Sequence, residues 1–237
     1  MNVAMILAGG VGKRMGTGEV PKQYIDIYGK PIIVHTLEVF DLHEEIDGIV
    51  VVLSQQWQTE MKTWLRQYDL NKVICLAEAG ETRQASIYNG LCALDGRASE
   101  DDIVLIHDAV RPLLSRRIIS ENIEAAKAYG AVDTVIPSAD TIIKSTDGSM
   151  LHSVPLRKEL YLGQTPQSFK YGLIKAVHEK ARADKIADAS DDCQLVIRYG
   201  HQVKLVQGDK LNFKITIAED LLLLKALLKL GKREEVS

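Results

Sequence analysis

The chain predicts an α/β fold, one domain with a mostly parallel central sheet flanked by helices, and three observations carry that expectation. Short β-rich apolar runs recur at residues 3–7, 49–53, 73–76, 103–106 and 134–136. Each is followed by a polar or glycine-containing loop and then by helical spacing, the alternation that builds parallel sheets. A length of 237 residues suits one large domain with a real core, and neither an internal repeat nor a low-complexity linker divides it.

The elements follow in order. After the first strand and a glycine-rich loop, Pro31 sits where a first helical turn should begin, and Ile32, Ile33, Leu37 and Phe40 recur at roughly helical spacing. Thr82 is placed to cap a helix carrying Ala85, Ile87, Leu91 and Leu94; Ser115 caps another that runs to Tyr129 and is ended by Gly130. Between residues 140 and 161 the pattern changes to short polar and apolar alternation around Asp147-Gly148, a dipeptide that favours a tight hairpin turn. This stretch is expected to protrude as a β-arm. Order resumes after Gly163, with a helix over 170–181, another capped by Ser190, strands over 203–206 and 213–216, and an amphipathic terminal helix. In open α/β sheets ligands gather outside the carboxyl ends of the strands, so the loops that follow the strands are where chemistry is expected.

Composition excludes several classes. Hydrophobic residues make up 46% and charged residues 26%, which is ordinary for a globular protein. A net charge of -3, with both signs interspersed, leaves no electrostatic footprint for nucleic acid or an anionic membrane. The most apolar stretch, residues 221–230, is too short for a bilayer and is interrupted by Lys225 and Lys229. Cys75, Cys92 and Cys193 are odd in number and lack CxxC spacing, so neither a disulfide framework nor a zinc site is indicated. Together with an N-terminus that lacks a signal-peptide pattern, this predicts a cytoplasmic protein.

Three motifs carry chemistry. The loop after the first strand reads Leu7-Ala8-Gly9-Gly10-Val11-Gly12-Lys13-Arg14-Met15-Gly16. Glycines let the backbone approach a phosphate, and a run of amide hydrogens cradles anionic oxygen. Gly10 and Gly12 partly match a dinucleotide fingerprint, but the third glycine is displaced; no Gly-Lys-Ser or Gly-Lys-Thr completes a Walker loop. Taken alone, the segment also reads as a tight strand-to-helix turn with solvated charges. In Val20-Pro21-Lys22-Gln23-Tyr24 the proline stiffens the chain and Lys22 could reach the anion held by the first loop. Arg14 as a planar fork and Lys22 as a point charge would share a bound triphosphate. The fourth strand ends in His107-Asp108-Ala109-Val110-Arg111-Pro112, where a carboxylate beside a phosphate loop suits Mg²⁺. Asp108 is the metal candidate, whereas His107 reads as a packed imidazole.

These segments, with Glu-Thr-Arg-Gln-Ala-Ser-Ile at 81–87, Asp-Thr-Ile at 140–142, Gln-Thr-Pro-Gln at 164–167 and Asn-Phe-Lys-Ile-Thr at 212–216, resemble the cytidylyltransferases acting on methylerythritol phosphate and ribitol phosphate. The resemblance runs nearly end to end and implies a single Rossmann-like nucleotidyltransferase domain over 1–237, with the arm at 140–161 inserted in it. It further implies that Ala8, Gly9, Gly10 and Gly12 line the nucleotide, with Gly80, Glu81, Arg83 and Ser86 closing around cytosine and ribose. Arg14, Lys22 and Lys214 would surround the reacting phosphates, with Asp108 holding Mg²⁺. Lys214 is expected on a late strand. Arg111, Thr141, Arg157 and Lys214 would contact the second substrate, a small polyol phosphate. The implied reaction is in-line attack by that phosphate on the α-phosphorus of CTP, with pyrophosphate leaving. In relatives the arm crosses a two-fold axis, which implies a homodimer; an ordinary surface hairpin is the alternative.

Two patterns compete over the polyol. Ala-Gly-Gly at 8–10, Ala-Val-Asp-Thr-Val at 131–135 and the stretch 161–167 resemble the ribitol phosphate branch. Thr-Arg-Gln-Ala-Ser at 82–86 and Ser-Asp-Asp at 190–192 resemble the methylerythritol branch. The polar residues 138–140 depart from the basic residue that methylerythritol enzymes often place before Asp-Thr, so D-ribitol 5-phosphate, giving CDP-ribitol for a surface polymer such as teichoic acid, is favoured. A non-catalytic nucleotide-binding protein of the same fold is the alternative of another class. An NAD-dependent oxidoreductase is a third, with Ser54-Gln55-Gln56 standing where an acidic residue would hold a ribose.

Overall fold

The computed structural model describes residues 1–10, 20–187, 189 and 191–231. In chain order its elements are β1 (Asn2–Leu7), β2 (Asp26–Ile27), β3 (Lys30–Pro31), α1 (Ile32–Asp41), β4 (Gly48–Leu53), α2 (Gln58–Gln67), β5 (Val73–Glu78), α3 (Arg83–Cys92), β6 (Ile103–Asp108), α4 (Arg116–Tyr129), β7 (Ala131–Pro137), β8 (Tyr161–Lys170), α5 (Tyr171–Ala183), α6 (Asp192–Arg198), β9 (Lys204–Gln207) and α7 (Ala218–Lys229). Seven strands form the central sheet in the order β5-β4-β1-β6-β8-β7-β9. β8 runs antiparallel to both β6 and β7, and the other pairings are parallel. β2 and β3 make a separate small hairpin.

Strand residues alternate between two cores, as a sheet covered on both faces requires. Ala4, Ile6, Ile49, Val51 and Leu105 join α1 and α4 through Ile33, Leu37, Ile118 and Ile123. Val3, Met5, Val50, Val52, Val104 and Ile106 join α3, α5 and α6 through Ile87, Leu91, Ile174 and Leu195. A smaller cluster of Ile27, Ile32, Val110, Leu113, Ile215 and Leu224 anchors α7 beneath the loop that follows β6.

The expected caps form at Thr82, whose side chain accepts from the Ala85 amide, and at Ser115, which accepts from Ile118; Gly130 ends α4 with φ at 83°. Pro31 precedes its helix as the cap rather than opening the first turn, because its extended ψ of 146° ends β3. Ser190 lies outside the described residues, and the cap of α6 is Asp191, which accepts from the Gln194 amide at 2.7 Å.

Two expectations are corrected. Residues 213–216 are not a strand: the segment passes by as a loop, with a backbone bond from Ile215 N to Val110 O at 3.0 Å. The ten-residue β8 was not expected, since Gln164, Thr165, Gln167 and Ser168 lack an apolar strand pattern. Its polar side chains are nonetheless buried, because they bond laterally instead of packing. Asn122 shows how: its Nδ2 donates to Ile118 O and Thr134 Oγ1, and its Oδ1 accepts from Ser168 Oγ, each at 2.9 Å.

The segment between β7 and β8 is exposed throughout residues 140–159. Its base closes through Ser138 N to Leu160 O at 3.0 Å, and Asp147 Oδ1 organises the turn by accepting from Ser149 and Met150 amides. It is an extended excursion more than a β-arm: its isolated pairing among the described residues is the bridge between Lys144 and Ser153. Among the described residues no helix is long and apolar enough to cross a membrane.

Replacing Asn122 with alanine strands Ser168 Oγ and part of Thr134 in the core. The expected loss is about 2–3 kcal/mol, read as a lower urea midpoint at unchanged m-value; a shift below ~0.5 kcal/mol would mean the network carries no stability.

Candidate active site

β1 and β6 are neighbours at the middle of the sheet, with Leu7 opposite Asp108 in the register. The chain leaves β1 for β4 on one side and later returns to place β6 on the other, so their carboxyl ends border a topological switch point. The loop after β1 is held from below. Gln23 Nε2 donates to Ala8 O and Gly10 O, both at 2.7 Å, and the Tyr24 hydroxyl donates to Ala8 O at 3.2 Å. Tyr24 in turn stacks on Trp57 with ring centroids 4.1 Å apart. The Pro21-Lys22-Gln23-Tyr24 segment thus sets where the glycine loop starts.

A second wall comes from the loop between β5 and α3. A Cβ on Gly9 would lie 2.4 Å from Ala79 Cβ, so only glycine lets the two loops touch. Ser86 Oγ accepts from Gly80 N at 3.0 Å and donates to Thr82 O at 2.9 Å, which folds the loop back onto the α3 N-terminus. Among the described residues, nothing lies within 4 Å of a Cβ built on Gly10. Glu81 is exposed at the loop tip.

At the end of β6 the buried Asp108 carboxylate gathers cations. Its Oδ2 lies 3.0 Å from Lys214 Nζ and 3.4 Å from Arg111 Nε. Burial works against its charge, but Lys214, Arg111 and Arg83 outweigh it and hold the carboxyl well below the usual carboxylate range. Arg111 Nη1 also donates to Asn212 O at 2.7 Å, and Lys22 Nζ donates to Ile215 O at 2.7 Å. Asp220 Oδ2 accepts from the Thr216 and Ile217 amides at 2.7 and 3.0 Å, turning the chain into α7 directly after Lys214. The Lys214 segment is therefore fastened from three sides, with the lysine at its centre.

Of the residues singled out from the sequence, Ala8, Gly9, Gly10, Gly80 and Ser86 meet at the two loops, and Asp108, Arg111 and Lys214 form one ionic cluster with Lys22 bonded to the same segment. Lys214 reaches it from a loop, not from the expected strand. Gly12 and Arg14 lie outside the described residues. Thr141 and Arg157 are exposed on the arm, where Arg157 Nη1 donates to Ala139 O at 3.4 Å; neither joins the Asp108 cluster within the chain among the described residues.

Several supports escaped the sequence. Arg83 is bound by the buried Asp192 at 2.7 Å, and Asp192 also meets His178 Nε2 at 2.9 Å. Although burial opposes its charge, Asp192 and Asp108 raise the Arg83 pKa. Thr165 Oγ1 accepts from the Asp108 amide at 3.1 Å and bonds His107 Nδ1 at 3.0 Å. Asn212 Nδ2 donates to Thr165 O at 2.8 Å, while its buried Oδ1 has no partner among the described residues. The signal for Thr165 and Asn212 was their place in Gln-Thr-Pro-Gln and Asn-Phe-Lys; nothing local marks His178.

The start of the glycine loop at Ala8–Gly10, the facing N-terminus of α3 and a cation cluster at the switch point of an α/β sheet suit a nucleotide-binding enzyme of the phosphate-transferring class. The family model described as "IspD: 2-C-methyl-D-erythritol 4-phosphate cytidylyltransferase" matches residues 2–230, and the chain belongs to that family. It is a CTP-dependent nucleotidyltransferase, which removes the oxidoreductase alternative. The chain is 41% identical over 228 residues to the ribitol-5-phosphate cytidylyltransferase of Vibrio parahaemolyticus, covering 96% of each. It resembles the crystal structure of 4-diphosphocytidyl-2C-methyl-D-erythritol synthase from Anaerococcus prevotii, with TM-score 0.83, 33% identity and 96% of each chain covered. The 2-C-methyl-D-erythritol 4-phosphate cytidylyltransferase of Thermus thermophilus is similar at TM-score 0.74 and 31% identity, covering 95% of this chain and 98% of that one.

Two predictions follow from this geometry. A Cβ on Gly80 would lie 2.5 Å from Ala85 Cβ and 3.0 Å from Ser86 N, so Gly80→Ala must push the loop off α3. Its CTP dissociation constant should rise roughly tenfold or more by calorimetry; unchanged affinity would detach this loop from nucleotide binding. His107 is wholly buried, and burial pushes its pKa down from 6.5 to about 4. The unfolded chain takes up the proton first as pH falls, so this contribution is fully present above pH 6.5 and lost toward pH 4, by up to about 1.4 kcal/mol per pH unit. Denaturant melts at pH 6.5 and 5 should show a larger drop for the native chain than for His107→Gln; equal drops would contradict the buried neutral imidazole.

Proposed function

We propose that the chain transfers CMP from CTP to D-ribitol 5-phosphate, forming CDP-ribitol and pyrophosphate. One observation carries the chemistry: Lys214 and Arg111 converge on Asp108 at the end of β6, opposite Leu7 where the glycine loop begins, and Lys22 bonds the Lys214 segment. A phosphate oxygen of the polyol attacks the α-phosphorus, the bond to the β-phosphate breaks, and the electron pair leaves on pyrophosphate. No covalent enzyme intermediate is required, because positioned cations supply most of what such a transfer needs. The choice of ribitol is supported by the 41% identity to the Vibrio enzyme, against 33% and 31% for the methylerythritol structures.

The roles divide by position. Ala8, Gly9 and Gly10 present backbone to the nucleotide, while Gly80, Glu81, Arg83 and Ser86 face cytosine and ribose from the α3 side. Lys22, Lys214 and Arg14 neutralise the reacting phosphates. Arg111 and Lys214 would meet the polyol phosphate, and Asp192 sets the plane of Arg83.

Mg²⁺ fits the donor set: this ion takes one or two carboxylates and completes its shell with phosphate oxygens and water, and Asp108 offers a single ionised carboxylate at the phosphate end. Asp108 would hold it, and it would supply charge neutralisation on the leaving pyrophosphate. Thr141 and Arg157 are assigned to the site of a neighbouring subunit, with the arm as the dimer contact. The exposed Ile143, Met150, Leu151, Val154 and Leu156 support that assignment, since so many apolar side chains on one excursion call for a cover.

A coupled pyrophosphate assay with CTP and Mg²⁺ tests the proposal. Release should require a polyol phosphate, and D-ribitol 5-phosphate should give a kcat/KM at least tenfold above 2-C-methyl-D-erythritol 4-phosphate. The reverse preference would assign the chain to the methylerythritol reaction, which the family model's description favours; no release with either would overturn both.

A further inference from the structure

We infer that Asp133 selects the acceptor substrate: its carboxylate takes a hydrogen bond from the hydroxyl at the far end of a linear pentitol phosphate. The inference rests on the transfer to D-ribitol 5-phosphate proposed above, and names the group that reads that polyol.

The sheet places the residue. Ile106, Gln167 and Asp133 stand in one row across β6, β8 and β7, and side chains in register share a face. Asp108 follows Ile106 by two positions, so it belongs to the same face, the one covered by α3 and α6. From the strand of Asp108 to the strand of Asp133 is two strand spacings, about 10 Å, a gap that an extended five-carbon polyol phosphate bridges. Thr134 faces the opposite core instead, where Asn122 and Pro166 O hold it.

Carboxylates on this side differ in how the chain compensates them. Asp108 has Lys214 and Arg111, Asp192 has Arg83 and His178, and both carboxyls stay below the usual range despite burial. Asp133 forms no ion pair among the described residues; its Oδ1 accepts from Gln167 Nε2 at 3.0 Å. Burial pushes its carboxyl up to about 6 and Asp191 adds to the shift, with Gln167, Cys193 and Arg83 opposing it. The other oxygen lies on the accessible side. Asp133 is partly exposed, and a Cβ built on the exposed Gly163 would meet Asp133 Oδ2 at 3.9 Å and nothing else within 4 Å among the described residues.

A carboxylate compensated this weakly calls for a further donor. A hydroxyl supplies one without charge, whereas the guanidinium groups of Arg83 and Arg111, both of which interact with Asp133, disfavour another cation. With its phosphate on Arg111 and Lys214, a pentitol brings its terminal hydroxyl toward Asp133. Methylerythritol phosphate is one carbon shorter and branched, so its terminal hydroxyl falls short. The competing role is structural: Asp133 holds Gln167, whose Oε1 accepts from the Asp192 amide at 3.3 Å. That role treats every acceptor alike.

The test reads kcat/KM for pyrophosphate release at pH 8 with CTP, Mg²⁺ and either D-ribitol 5-phosphate or its 1-deoxy analogue, which ends in a methyl group. The native chain should prefer ribitol phosphate by at least about tenfold. Asp133→Leu should bring the two acceptors to within about twofold while its CTP dissociation constant, by calorimetry, stays unchanged. Asp133→Asn, which keeps an acceptor for Gln167, should regain part of the preference. Equal use of the two acceptors by the native chain, which decides the matter even where a variant fails to fold, would overturn the inference and leave the transfer reaction standing. A preference that survives Asp133→Leu would do the same. Absence of release with ribitol phosphate from the native chain would instead remove the proposed reaction, and this inference with it.

Discussion

The buried Asp108 carboxylate is the constraint on which the site depends. An isolated carboxylate at the end of a central strand would cost several kcal/mol or lose its charge. Lys214, Arg111 and the field of Arg83 keep it ionised instead. Each partner comes from a different stretch of chain, so the need to compensate one charge draws together the loop after β6, the segment before α7 and the start of α3. Lys214 and Arg111 thereby stand at the carboxyl end of β6, opposite Leu7 of β1.

The supporting shell follows the same logic. Arg111 can serve Asp108 only because Asn212 O and the Ile215–Val110 bond hold the Lys214 segment alongside. Arg83 is aimed by Asp192, itself fixed by His178 from α5. Thr165 links the Asp108 amide to His107, tying β8 to the strand that carries the carboxylate. Antiparallel β8 therefore does more than extend the sheet: it delivers the polar residues that secure the site from behind.

Much of this was legible in the chain. Apolar runs marked β1, β4, β5, β6 and β7, because a sheet covered on both faces needs continuous apolar strands, and Thr82, Ser115 and Gly130 marked helix ends through local chemistry. β8 was hidden because its buried positions are Gln164, Thr165, Gln167 and Ser168, whose burial depends on partners such as Asn212 and Asn122 elsewhere in the chain. Residues 213–216 alternate like a strand, yet their backbone finds no ladder: the apolar Ile215 is drawn into the α7 cluster and Lys214 toward Asp108. The pairing of Arg83 with Asp192 spans 109 positions, a separation at which spacing carries no information.

The most direct measurement is a double-mutant cycle on Asp108→Asn and Lys214→Met, reading kcat/KM for CTP in pyrophosphate release. If one carboxylate organises the cations, the two losses overlap, and the double variant should fall short of their sum by at least about 1 kcal/mol. Losses that add to within about 0.3 kcal/mol would show that Lys214 acts without Asp108 and contradict the account.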